Sequence, residues 1–398
     1  MRTMLNIANY EVRHILKDRV AFAIVFLAPL FFAFLMGSVY YSAAINDVPF
    51  ALVDLDNSLA SREVADYFST GQHFKINPAI DTYEKMEKAM REGIIRGGIV
   101  VPEDFSKKLA RKQSTEVLVV YDASNLLWGY NIRKFAYEGM DEFNRRYAAA
   151  YLQSMGMHPA QSDEVLNLVN CSIMTWYNPT YSYINFLYAG VIFIILHQLG
   201  LLGVTLTIPR EKEGNTWIHY LASPLERWQI IFGKSLPYII AGFFNYALLL
   251  WFAHHFILLK IEGSILLIAL LGFLYTCAII FLGFFISLYA ENSLQISRYL
   301  ILLSIPIFMI SGYTWPRYRI PGIIIAISEL TPFTWMAEAF RKVTIKNLGF
   351  PDIAYNVLGL SIMIVIGLAL SGTFRKDREP IAEDKIRVNG GPEYPRRV

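Results

Sequence analysis

Charged side chains are scarce in this chain: Asp, Glu, Lys and Arg make up 17% of its 398 residues, and six long runs contain none. That deficit, beside 55% hydrophobic residues and 27 Phe, excludes an ordinary soluble globule but leaves room for one sizeable polar domain. Cysteine is nearly missing. Of the two present, Cys277 falls within a predicted membrane span and Cys171 just outside the membrane, which excludes a disulfide scaffold, and no intrachain disulfide is expected. No apolar run carries the paired carboxylates or the His-Glu spacing of an intramembrane enzyme, so no catalytic or metal residues are assigned. A phosphate loop is also lacking. Gly233-Lys234-Ser235 has Trp228 where that motif needs its first glycine, so no cofactor is expected on this chain.

What is present is a layout. The charge-free runs are Val20 to Asn46, Val165 to Pro209, Ser235 to Leu259, Gly263 to Ala290, Tyr299 to Pro316 and Ile353 to Phe374. Each is long enough for the roughly 20 apolar residues that cross a bilayer core. The polar stretch Asn170 to Pro179 shortens the second, whose helix is placed from about Tyr181. The expected fold is therefore an α-helical membrane protein with six transmembrane helices and an extracytoplasmic α/β domain inserted between the first and second. The boundaries are 1–19 for a cytoplasmic interfacial helix, 20–46 for the first span and 47–180 for the inserted domain. Residues 181–374 hold five spans, with a cytoplasmic loop at 209–234 and an outer re-entrant segment at 316–352, and 375–398 form a cytoplasmic tail.

Orientation follows from basic residues in the short loops. Arg2, Arg13, Lys17 and Arg19 precede the first span, Arg210, Lys212, Arg227 and Lys234 follow the second, and Arg375, Lys376 and Arg378 follow the last. Six crossings put all three groups on one side, so both termini are expected in the cytoplasm. One segment disagrees, since Arg317, Arg319, Arg341, Lys342 and Lys346 then lie outside. A seventh crossing there would bury Glu329 and Glu338, so a re-entrant hairpin is the better compromise. The first span is too long for a cleaved signal despite the small residues Ser42 to Ala44. Ahead of it, Leu5, Ile7, Ala8, Val12 and Ile15 are expected to face lipid from an amphipathic helix, with Arg13, His14 and Lys17 toward phosphates.

Between residues 47 and 178 there are 18 acidic and 14 basic residues, a balance of −4 against +7 for the remainder, which argues against nucleic acid as a partner. Short apolar runs alternate there with helical patterns: strands at Phe50 to Leu55, Phe74 to Asn77, Gly97 to Val101 and Glu116 to Tyr121. Helices are expected at Ser58 to Ser69, Tyr83 to Glu92, Glu103 to Lys112 and Leu126 to Met155. Asp54, Asp56 and Asp122 at strand ends read as turn and cap residues rather than as a metal or catalytic cluster. Inside the spans, Asn185, His197, Gln198 and Asn245 must face protein or a water-filled path. Interhelical bonding suits Asn185 and Asn245, while His197 and Gln198 are equally suited to lining a substrate path.

The most distinctive local sequence is Pro209-Arg210-Glu211-Lys212-Glu213-Gly214-Asn215-Thr216-Trp217, followed by Leu221-Ala222-Ser223-Pro224 and Gly233-Lys234. It is expected to break a membrane helix at Pro209, form a short amphipathic helix and restart at Pro224. Arg-Glu-Lys-Glu-Gly-x-Thr with a later Ser-Pro and Gly-Lys resembles the permease subunits of type-2 ABC exporters. So does Ser311-Gly312 leading through Pro316 and Pro321 to Leu330-Thr331-Pro332-Phe333-Thr334 and Arg341, and so does the opening of the polar domain, Ala51-Leu52-Val53-Asp54-Leu55-Asp56-Asn57-Ser58. Trp217-Ile218-His219-Tyr220 departs from the aliphatic or polar residues expected there.

The resemblance implies a bacterial inner-membrane, ATP-driven exporter of an amphiphilic substrate such as a drug, lipid or glycolipid. ATP and magnesium would be held by a separate cytosolic ABC ATPase, met at Arg210, Glu211, Glu213, Gly214, Thr216, Trp217 and Pro224. It implies a homodimer or a heterodimer with a related permease, contact with membrane lipids and, as an open alternative, a periplasmic adaptor. The rival reading from the residues alone is a membrane-anchored receptor or envelope scaffold with an extracytoplasmic ligand-binding domain.

Overall fold

The computed structural model describes residues 2–40, 47–70, 73–124, 126–166, 176–178 and 184–373. The stretches 42–44 and 170–175, the start of the second span at 181–183 and the tail 375–398 lie outside the described residues. The chain divides into two compact units, one formed by 1–41 with 175–398 and the other by 42–174.

The first unit is helical. Helix α1, Arg2–Lys17, comes first, and six helices are long and apolar enough to cross a membrane: Arg19–Val39, Ile184–Glu213, Arg227–Phe256, Ile265–Tyr289, Ser293–Ile310 and Phe350–Ser371. Two of these differ instructively from their charge-free runs. The second continues through Pro209 to Glu213, because Pro209 stands in the first turn of the segment Thr207–Glu213, where backbone N–H groups need no helical partner. The third restarts not at Pro224 but at Arg227, where Glu226 and Gln229 form a reciprocal capping box. It then carries Lys234 inside its apolar length, fully buried.

Helix α1 also presents a different face from the one expected. Ile7, Ala8 and Ile15 are buried, with Glu11 on the same stripe, whereas Leu5, Val12 and Leu16 are exposed. The buried stripe follows the helical period and lies against the third span at Gly233. A Cβ at Gly233 would stand 2.8 Å from Ile7 Cβ and 3.2 Å from the Met4 carbonyl oxygen, so glycine is what lets the two helices touch.

The second unit is an α/β layer. Strands β1 (Val48–Asp54), β2 (Phe74–Ile76), β3 (Gly97–Val101) and β4 (Leu118–Tyr121) form one sheet in the order β2-β1-β3-β4. β1 runs parallel to both neighbours, and β4 is antiparallel to β3. Helices α2 (Leu59–Thr70), α3 (Tyr83–Arg91), α4 (Phe105–Ala110) and α5 (Leu126–Ser154) fall within a few residues of their sequence patterns, and a short α6 (Pro159–Leu166) follows. Alternation along the strands builds two cores. Phe50, Ile99 and Val101 pack with Val64, Phe68, Phe105 and Ile132 on one face, and Ala51, Val53 and Val100 pack with Met86 and Ala89 on the other.

The strand-end aspartates close turns. Asp54 accepts from the Asp56 and Asn57 amides and from the Ser61 hydroxyl, and Asp56 accepts from the amide and hydroxyl of Ser106. Partial burial opposes ionisation of Asp56, yet hydrogen bonds from Ser58 and Ser106 hold its carboxyl below the usual range. Asp122 bonds Ser124 and pairs with Arg96 at 3.1 Å.

Candidate coupling site

The distinctive loop is anchored by a buried ionic knot. The Lys234 ammonium lies 2.5 Å from Glu11 Oε1 and 3.0 Å from Glu211 Oε1. Arg210 forks onto Glu11, with Nη2 at 3.0 and 3.2 Å from its two carboxylate oxygens. The four groups balance as two cations and two anions, and the Tyr220 ring covers Lys234 at 4.7 Å. Three separated pieces of chain thus meet: α1, the end of the second span and the start of the third. Removing one partner from a buried set of this kind costs about 3–5 kcal/mol, because a desolvated charge is left alone.

The neighbouring loop residues tie into further helices. Glu211 accepts from the Thr216 hydroxyl, and the Thr216 amide donates to the Glu211 carbonyl at 2.8 Å. Lys212 donates to the carbonyls of Leu288 and Ala290, both at 2.8 Å, capping the fourth span. Glu213 accepts from the amide and hydroxyl of Ser293 at 2.6 and 3.0 Å, which caps the start of the fifth span. Gly214 ends the second helix by donating to the Arg210 carbonyl at 2.9 Å. Next comes the short helix α7, Trp217–Ala222, with Trp217 half-buried beside Tyr220, Ile218 and His219 exposed, and Pro224 exposed beyond it.

The residues singled out from the sequence therefore divide. Arg210 and Glu211 are internal fasteners, Thr216 is exposed but bonds back onto Glu211, and Glu213, also exposed, reaches sideways to the fifth span. Gly214, Ile218, His219 and Pro224 form the exposed surface. Two members were missed by sequence reasoning. Glu11 is the only acid in the first seventeen residues, on the apolar stripe of α1, and Lys234 follows the glycine that admits that helix. An acid on an apolar stripe was the available signal.

The four polar residues inside the spans do not form one cluster. Asn185 accepts from the Lys260 amide at 3.0 Å, and Asn245 donates to the Val25 carbonyl at 2.6 Å, within the π-helical turn Ala23–Leu27 of the first span. Such a turn frees a backbone carbonyl for an outside donor. His197 is buried between the Tyr275 and Phe333 rings, and its Nδ1 and the Gln198 Nε2 have no hydrogen-bond partner. Twelve residues of helix, about 18 Å, separate Asn185 from His197. Asn245 lines a void of about 30 Å³ with Tyr238 and Gly200, room for about one water.

The sequence pattern of the ABC-2 family transporter protein matches residues 19–372, both ends of the loop and all six spans included. The chain belongs to this family. It is 24% identical to the probable multidrug ABC transporter permease YbhR of Escherichia coli, over 92% of this chain and 96% of the relative. It is 21% identical to YbhS of the same organism, over 92% and 95%, and 21% identical to the linearmycin resistance permease protein LnrN of Bacillus subtilis, over 89% and 94%. This ABC-2 permease is a multi-pass membrane protein, and its relatives are permease subunits of ABC transporters.

Proposed function

We propose that the permease moves an amphiphilic substrate out of the cytoplasm or inner leaflet across a bacterial inner membrane, driven by ATP hydrolysed on a separate cytosolic ABC subunit. The observation that carries this reading is the loop 209–234, whose exposed ridge from Gly214 to Pro224 stands on fasteners reaching α1 and the ends of the second, third, fourth and fifth spans. A push on that ridge reaches several helices at once, because packed and ion-paired elements move as units. Relatives named for multidrug transport and linearmycin resistance support a drug-like or lipid-like cargo. On this reading both termini face the cytoplasm and the α/β unit lies outside, where it hands substrate onward or meets a periplasmic adaptor. The permease works as a pair. The apolar windows of its first and fifth spans are only 22% and 6% buried, which leaves faces for a second permease to cover.

The test uses the full chain reconstituted with its candidate ATPase. Ile218→Asp on the exposed ridge is expected to abolish permease-stimulated hydrolysis and transport without unfolding the protein. Glu213→Ala is expected to keep hydrolysis while lowering transport, since it cuts only the link to the fifth span. Wild-type coupling in both variants would sink the assignment.

A further inference from the structure

The basic segment after the fifth span is at odds with the charge asymmetry of the other loops, and its geometry shows where the charge goes. Helices α8 (Gly322–Ser328) and α9 (Pro332–Thr344) form a pair bent by 93°. Beside α9 lies a cavity of about 180 Å³ lined by Tyr313, Arg317, Glu338, Arg341, Lys342 and Lys346. That is the volume of several waters, room for one phosphate-sized group.

Four cations and one carboxylate line it. Arg317 pairs with Glu329 and reaches Glu338 at 3.2 Å, and Lys342 pairs with Glu338 at 2.9 Å. These two glutamates answer Arg317 and Lys342. Arg341 and Lys346 have no carboxylate partner among the described residues. Arg341 donates to the Tyr313 carbonyl at 2.9 Å and lies over the Tyr313 ring at 4.0 Å, an arrangement that holds the guanidinium still. The Lys346 ammonium meets the Tyr177 ring at 5.6 Å. A fixed guanidinium with a neighbouring ammonium suits an oxyanion, since a planar fork matches phosphate oxygens and the lysine adds a point charge. The surroundings are apolar and exposed: Ile323, Ile327 and Leu330 on and after α8, with Trp315 and Tyr318 before it. Such a border of aliphatic and aromatic side chains beside a basic site fits the depth of lipid headgroups.

We propose that this cavity binds a phosphate-bearing headgroup of net negative charge, with Arg341 and Lys346 meeting the oxyanion and Arg317 and Lys342 supplying the charge around it. The site is separate from the coupling loop and stands whether or not the chain couples to an ATPase. In membranes the phosphate comes from an anionic phospholipid or from the solution, and the experiment separates the two.

Full-length protein in neutral detergent is offered equimolar phosphatidylglycerol and phosphatidylcholine, and bound lipid is read by native mass spectrometry. A parallel arm measures thermal protection by inorganic phosphate without lipid. Preferential retention of phosphatidylglycerol is expected, about fivefold weaker in Lys346→Gln and about tenfold weaker in Arg341→Gln. Lys346→Gln touches no hydrogen bond in the structure, so it tests the site even if Arg341→Gln disturbs the Tyr313 contact. Arg319→Gln, a cation of the same segment outside the cavity, is expected to bind as the unaltered chain does. Phosphate protection that depends on Arg341 and Lys346, without lipid preference, would assign the site to free phosphate. Equal retention of both lipids with no phosphate protection would overturn the proposal, as would equal weakening by Arg319→Gln.

Discussion

Two charged clusters of the membrane unit, alike in composition, are built to opposite ends. At Glu11, Arg210, Glu211 and Lys234, opposite charges cancel, the lysine and both glutamates are buried, and the members come from three pieces of chain. Around Arg317, Glu338, Arg341, Lys342 and Lys346 the cations outnumber the acids, the side chains are half-buried or exposed, and a cavity stands open among them. A balanced, dry cluster satisfies itself and acts as a strut. A surplus beside a cavity leaves something for a ligand to complete. Counting basic residues per loop, as the topology argument does, treats both alike, which is why the second cluster first looked like a contradiction.

The comparison is broken most forcefully at Lys234. Lys234→Ala leaves the buried Glu11 and Glu211 carboxylates with Arg210 as their one remaining cation and is expected to destabilise the membrane unit by about 3–5 kcal/mol. Thermal unfolding in detergent would show a large fall in midpoint, and adding Glu11→Gln should restore part of it. If Lys234→Ala melts like the parent, the knot is no strut. Gly233→Ala has the next largest effect, because the new methyl meets Ile7 and the Met4 carbonyl. A loss of about 1–3 kcal/mol is expected, read by faster proteolysis within α1.

The smallest effect is one of pH. Burial, with Arg210 close by, holds the His14 imidazole below its ordinary value. The unfolded chain therefore binds the proton first, so this contribution is fully present above about pH 6.5 and is lost as pH falls through the folded-state value. Protection of α1 amides, corrected for intrinsic exchange, should drop across that window, and His14→Gln should flatten the response. An unchanged slope in that variant would remove His14 from the account.

Much of the architecture was legible in the residues. The four strands and the helices between them fall within a few residues of their patterns, because period-two and period-3.6 alternation are local and the unit has a core on each face of its sheet. The loop 209–234 was legible as a special segment, but which of its residues face inward was not. Arg210 and Glu211 look like surface charges beside Lys212 and Glu213, and only the arrival of α1 from two hundred residues away turns them inward.

Hydrophobicity acts residue by residue along the chain, so the sequence alone marked out six candidate spans, the short strands and helices of the unit between the first two, and membership of the ABC-2 family. Charge compensation depends on partners distant in sequence. Whether Lys234 ends a span or lies within one, which stripe of α1 is buried, and why one basic segment is cancelled while another keeps a surplus were decided only when the helices packed, since a charge loses its water only where an opposite charge has been brought to meet it.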